Sequence, residues 1–155
     1  MKISIDGTAG SGKGTLSKRL SKTLKYPYLD TGLLYRKVAL VYKNNFLNQI
    51  ENKNIINRSE ILQLVENINF EKLKSDDLRD ESIGFLASKI AKIPELRVKL
   101  NQFQINFANK MLKIKGGCIL DGRDIGTNIM PNADIKIFVD ASIEVRTERR
   151  MKELN

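Results

Sequence analysis

The sequence predicts an α/β fold, a parallel sheet with helices on both faces. Three observations carry that expectation. Short segments with apolar residues on both faces alternate with longer stretches of helical periodicity. One of them, Ile3-Ser-Ile-Asp-Gly-Thr-Ala-Gly-Ser-Gly-Lys-Gly-Thr15, runs straight into a glycine-rich turn that opens a helix. The remaining acidic and basic motifs fall just after other apolar segments, and parallel sheets bind ligands beyond the carboxyl ends of their strands.

The elements follow in order. Residues 2–6 read as a buried strand and 13–25 as a helix, with Leu16, Leu20 and Leu24 at a spacing of four. Tyr26 and Pro27 break the chain before a short strand that ends at Asp30. A second helix is expected over 31–46, with Leu34, Val38, Val41 and Tyr42 on one face. Asn57 suits an N-cap for a third helix, Arg58 to Asn67. Residues 68–80 are polar and carry no clear period. Helices over 80–92 and 94–113 are separated at Pro94, which fits a first helical position. Gly116-Gly117 ends the second of these. Cys118-Ile119-Leu120 and Asp134 to Asp140 then read as strands apolar on both faces, and 142–154 as a charged helix. No repeat and no Pro/Gly/Ser linker interrupts the 155 residues, so one domain over 1–155 is expected.

Composition narrows the function. The chain is 41% hydrophobic, with no apolar run as long as a spanning helix. The first strand begins at once in this sequence, so no signal peptide is expected. A single cysteine, Cys118, allows no internal disulfide and suits a reducing cytoplasm. There is no histidine, which excludes histidine-based acid–base catalysis and most zinc sites. The net charge of +9 favours anionic partners. Without an arginine-rich tract or an aromatic-interleaved basic run, nucleotides are expected rather than nucleic acid.

Three motifs carry the chemistry. In Gly7-Thr8-Ala9-Gly10-Ser11-Gly12-Lys13-Gly14-Thr15 the glycines let successive N–H groups turn inward around a polyphosphate, and Lys13 adds a mobile positive charge. Gly14 stands where the strict pattern has Ser or Thr, so Mg²⁺ would be held through water or by Thr15. Leu29-Asp30-Thr31-Gly-Leu-Leu-Tyr-Arg36 sets a hydroxyl and a guanidinium at a strand-to-helix junction, suited to a phosphate or ribose. Asp121-Gly-Arg123-Asp124-Ile-Gly-Thr127 follows an apolar strand in the same way. There Asp121 can hold a metal-bound water, Arg123 can clamp a phosphate, and Asp124 can accept from an exocyclic amine.

At these residues the chain resembles the cytidylate kinases of the nucleoside-monophosphate kinase family. The likeness also takes in Leu86-Ala87-Ser88-x-Ile90-Ala91, Pro94-x-x-Arg97 and Ile137-Phe138-Val139-Asp140-Ala141-Ser142. It implies transfer of the γ-phosphoryl of ATP to CMP or dCMP with Mg²⁺, in the cytoplasm, as part of pyrimidine metabolism. It implies that Lys13 and the glycine loop bind ATP, with Arg149 and Arg150 near it. Asp30, Thr31, Arg36 and Arg123 would hold the monophosphate, and Ser88, Arg97 and Asp124 the cytosine ring. Lys13, Arg36 and Arg123 are the expected catalytic groups. The monophosphate-binding region would be about 58–92, and 146–155 the start of a lid.

The likeness also marks two departures. Asn69 to Asp80 is short for the sheet-bearing segment such kinases insert there. Relatives of this kind continue past Asn155 with a lid, a last strand and a closing helix. A chain ending here is expected to be a truncated product, a fragment or half of a split gene. One sheet edge would be uncovered, and nucleotide binding would outlast turnover. A monomer is expected unless that edge pairs. A phosphate-loop kinase for another small acceptor and a non-catalytic nucleotide-binding or nucleic-acid-binding module stay open as alternatives.

Overall fold

A computed structural model describes residues 1–53, 56–70, 73 and 78–154; the side chains of 47–53, 150, 153 and 154 lie outside that description. The chain falls into two compact units: residues 1–31 with 103–155, and residues 32–102.

The first unit is built on four parallel strands. They are β1 (Lys2–Gly7), β2 (Tyr28–Asp30), β3 (Cys118–Gly122) and β4 (Ile135–Val139), in the order β2-β3-β1-β4. Parallel pairing of β1 with both β3 and β4 makes it central, with Ile5 opposite Asp121 and Ile137. Alternation along β1 divides its side chains between two faces. Ile3 and Ile5 join Ile119 in a buried cluster on one face. Leu16, Leu20 and Leu24 of α1 (Lys13–Leu24) close over that cluster, as their spacing of four predicts. On the opposite face Cys118 Sγ lies 3.8 Å from Ala108 O, so the last turns of α5 (Pro94–Lys115) cover it. Ser4 and Asp6 also point to that side, beneath a π-helical turn at Ile125–Ile129.

β4 departs from expectation. Its sequence reads as apolar on both faces, but Ile135 is 41% and Phe138 70% exposed. Only Ile137 and Val139 pack against the Ile3–Ile5–Ile119 cluster. The reason is position: β4 is the edge strand, and among the described residues β1 is its one strand neighbour. α6 (Ile143–Leu154) follows it.

The second unit is helical. It holds α2 (Gly32–Lys53), α3 (Arg58–Glu66), α4 (Glu81–Ile90) and the first turns of α5. α2 packs on α3 and α4, and among its described side chains Leu34, Val38, Ala39 and Tyr42 are buried. Ala39 takes the place expected of Val41, which is half-buried. The helix expected to stop at residue 46 continues to Lys53 past a kink at Phe46 (φ −130°, ψ 27°). Asn45 Nδ2 donates to Val41 O at 2.8 Å, competing for the carbonyl that its own amide would use in a regular helix. Asn57 caps α3 through Ser59 N and Glu60 N, as its position predicts. Asp80 caps α4 in the same manner. Within the polar stretch 68–80, residues 71, 72 and 74–77 lie outside the described residues. Among the described residues no helix is long and apolar enough to cross a membrane.

Candidate active site

The glycine-rich loop leaves the carboxyl end of β1. Gly10 (φ 74°) and Gly12 (φ 98°) occupy left-handed backbone that favours glycine, and that curl turns the loop back toward α1. Gly7 is needed for a different reason. A Cβ there would lie 2.1 Å from Val139 O, so the glycine admits the neighbouring edge strand rather than a phosphate. Thr8 Oγ1 donates to Asp140 Oδ1 at 3.4 Å, and Lys13 Nζ donates to Thr8 O at 3.3 Å. Ser11 is buried and its Oγ has no hydrogen-bond partner. A buried orphan hydroxyl is costly, and an anionic oxygen drawn into the loop would relieve it. Curled backbone, lysine, orphan hydroxyl and the N-terminus of a twelve-residue helix fit a polyphosphate.

Asp121, the last residue but one of β3, is buried. Its Oδ2 accepts from Tyr28 Oη at 2.9 Å and from Ser17 Oγ at 3.3 Å. Burial pushes its carboxyl up to about 7, helped by the charge of Asp30 directly across the β2–β3 ladder. The Tyr28 and Ser17 hydrogen bonds and the Lys13 charge oppose that rise. Gly14 lies against this carboxylate: a Cβ there would stand in ordinary contact with Asp121 Oδ2, at 3.6 Å. Thr15, the third residue of α1, is exposed.

Thr31 has a definite local task. Its Oγ1 donates to Asp121 O at 2.7 Å and its amide to the same oxygen at 3.1 Å. The residue is buried, so its hydroxyl proton holds the end of β3. Gly122 must be glycine beside it, since a Cβ would lie 2.7 Å from Thr31 Oγ1.

Beyond Gly122, Arg123 is exposed and Asp124 half-buried. Asp124 Oδ2 accepts from Asn128 Nδ2 at 3.0 Å, and Asp124 O accepts from Thr127 Oγ1 at 3.3 Å. The turn that follows is fixed from β1: Asp6 accepts from Ile125 N and from Gly126 N, both at 2.8 Å. Arg149, on α6, donates from Nη1 to Ser11 O at 2.9 Å and Gly10 O at 3.2 Å, which sets its guanidinium on the phosphate loop. The Arg150 side chain, also expected near ATP, lies outside the described residues.

The other expected substrate contacts belong to the second unit. Arg36 Nη1 donates to Leu78 O at 2.7 Å and Asp80 O at 3.2 Å. Gly84 allows α4 to approach it, since a Cβ would lie 2.7 Å from Arg36 Nη2. Ser88 is exposed and donates from Oγ to Phe85 O at 2.7 Å. Arg97 is half-buried on α5.

Comparison with known proteins decides the family. The family model described as cytidylate kinase matches residues 3–155. The chain belongs to the cytidylate kinase family. It is 43% identical over 152 residues to the cytidylate kinase of Paramagnetospirillum magneticum, covering 98% of this chain and 69% of that one. It is 40% identical to that of Cereibacter sphaeroides strain KD131, covering 98% and 66%. It is 41% identical to that of Rhodospirillum rubrum, covering 99% and 70%. The chain therefore spans about two thirds of the length of these curated relatives.

Membership of the cytidylate kinase family makes this sheet end the place to look for nucleoside-monophosphate kinase chemistry. The sequence motifs find the loop, Asp121, Arg123 and Asp124 there, but they miss the side chains that hold them. Tyr28 and Ser17 read as ordinary strand and helix residues, and nothing in their spacing announces a carboxylate partner. Asp6 carried a usable signal: an acid at the end of an otherwise apolar strand, next to the first loop glycine.

Proposed function

We propose that this chain binds ATP at the phosphate loop and transfers its γ-phosphoryl group to CMP or dCMP, giving CDP or dCDP. The observation that carries the reading is the meeting of two loops at one sheet end. The Gly7–Lys13 loop leaves β1, and the Arg123–Asp124 loop leaves its neighbour β3, clamped to it by Asp6.

The nucleophile is an oxygen of the CMP phosphate, already largely ionised at neutral pH because its second pKa is about 6. No general base is needed, in keeping with a chain that has no histidine. The residues align two polyanions and offset the charge that spreads over the transferring group. Lys13 and the loop amides of Gly10 to Thr15 hold the ATP phosphates, with Arg149 placed against the loop. Asp121, through water, and Thr15 would hold the Mg²⁺ that accompanies ATP, which would supply positive charge to offset that of the phosphates. The family likeness supports Asp30, Thr31, Arg36 and Arg123 as the groups for the CMP phosphate, and Ser88, Arg97 and Asp124 as those for the cytosine ring. An arginine acting on the transition state is worth roughly 10³–10⁵ in rate, so Arg123→Ala is expected to remove most turnover.

The test is CDP formation by the purified chain with ATP, Mg²⁺ and CMP, run beside UMP and AMP. Preferential CDP formation supports the reading. A melting temperature raised by CMP without CDP formation would identify a nucleotide-binding chain that does not transfer. Equal response to all three monophosphates would overturn the cytosine assignment.

A further inference from the structure

We infer that Asp6 is a positioning residue that couples acceptor binding to the phosphate loop, by holding the Arg123–Asp124 loop through the π-helical turn behind it. This rests on the reading above of Gly7–Lys13 as donor loop and Arg123–Asp124 as acceptor loop.

Asp6 lies on the central strand of the sheet. It pairs in register with Gly122 of β3 on one side and Phe138 of β4 on the other. The next residue, Gly7, lies so close to β4 that it admits no side chain. The residue that begins the donor loop is thus bonded directly to the residue that anchors the acceptor loop.

The anchor itself is specific. Like any helix start, a π-helical turn leaves its first amides without partners inside the turn. Here the first two amides, Ile125 N and Gly126 N, both donate to the Asp6 carboxylate at 2.8 Å. The turn then grips Asp124 from behind. Asn128 N donates to Asp124 O at 2.9 Å, and Asn128 Nδ2 donates to Asp124 Oδ2 at 3.0 Å. A Cβ on Gly126 would stand 2.8 Å from Ser4 Oγ and 3.2 Å from Asp6 Oδ2, so the backbone sits flat on the β1 face that carries both residues. A carboxylate accepts from both amides at once. An asparagine of the same shape keeps one acceptor oxygen and turns an NH₂ toward the second amide.

The consequence is a split between the two nucleotides. In Asp6→Asn, CMP affinity is expected to fall about tenfold or more, as for loss of a hydrogen bond to a charged group. ATP affinity, set by the glycine loop, should stay within about threefold. The ratio of CMP affinities with and without a non-hydrolysable ATP analogue, measured by titration calorimetry, should move toward one. Gly126→Ala lifts the same turn from the other side with Asp6 intact and should reproduce the split; it decides alone if Asp6→Asn does not fold. Equal weakening of both nucleotides, or no weakening of CMP, would show Asp6 to be structural only and overturn the inference. A wild-type chain that bound ATP and no CMP would overturn it together with the acceptor assignment.

Discussion

Asp121 concentrates the electrostatics of the sheet end. Its carboxyl is raised from an ordinary value of 3.8 to about 7, with desolvation the first cause and the charge of Asp30 the second. A raised carboxyl pKa means that the fold prefers the protonated form. In the nucleotide-free chain this group therefore favours folding most below about pH 4. Its contribution is lost as pH rises through the folded value. A shift of this size corresponds to something on the order of 4 kcal/mol. Asp121→Asn keeps an acceptor for Tyr28 and Ser17 and carries no charge. It should flatten the fall in melting temperature between pH 5 and pH 8 and raise the melting temperature at pH 8. Calorimetric melts of both proteins across that range check it; an unchanged slope would show that the carboxylate is stabilised in the fold by other means.

At the scale of elements, β4 is the exposed one. Ile135 and Phe138 face solvent, and Ile143 at the start of α6 is also 68% exposed. An apolar edge strand with unpaired backbone groups is a template for self-association. Phe138→Lys places a charge on that edge without touching Ile137 or Val139, which pack inward. It is expected to lower concentration-dependent light scattering markedly while shifting the melting temperature by no more than about 2 °C. Unchanged scattering would place the sticky surface elsewhere. The helices argue the other way about legibility: the caps at Asn57 and the start at Pro94 stand where the sequence puts them, because capping is a local matter.

For the whole molecule, the proposal predicts linkage between folding and nucleotides. A ligand at about a hundred times its Kd stabilises the fold by about 2.7 kcal/mol. For a chain of 155 residues that is a rise in melting temperature of roughly 5–10 °C. CMP should produce it, AMP should produce much less, and ATP with Mg²⁺ should add to the CMP effect. Differential scanning fluorimetry measures all three, and a shift common to every anion tried would reduce the effect to the chain's net charge of +9.

The parallel α/β architecture, the phosphate loop and the acid and arginine of the strand-end motif were legible because each depends on neighbours in the chain. A glycine pattern sets a turn, a four-residue spacing sets a helix face, and an apolar run sets a strand. What needed the folded chain are the long-range pairings. Asp6 meets Ile125 across 119 positions, and Tyr28 meets Asp121 across 93. The bond from Thr31 to the end of β3 and the edge position of β4, read as buried, were equally out of view. Local sequence fixes which groups a segment carries. Only strand order and register decide which carboxylate finds which amide, and which apolar face is left to water.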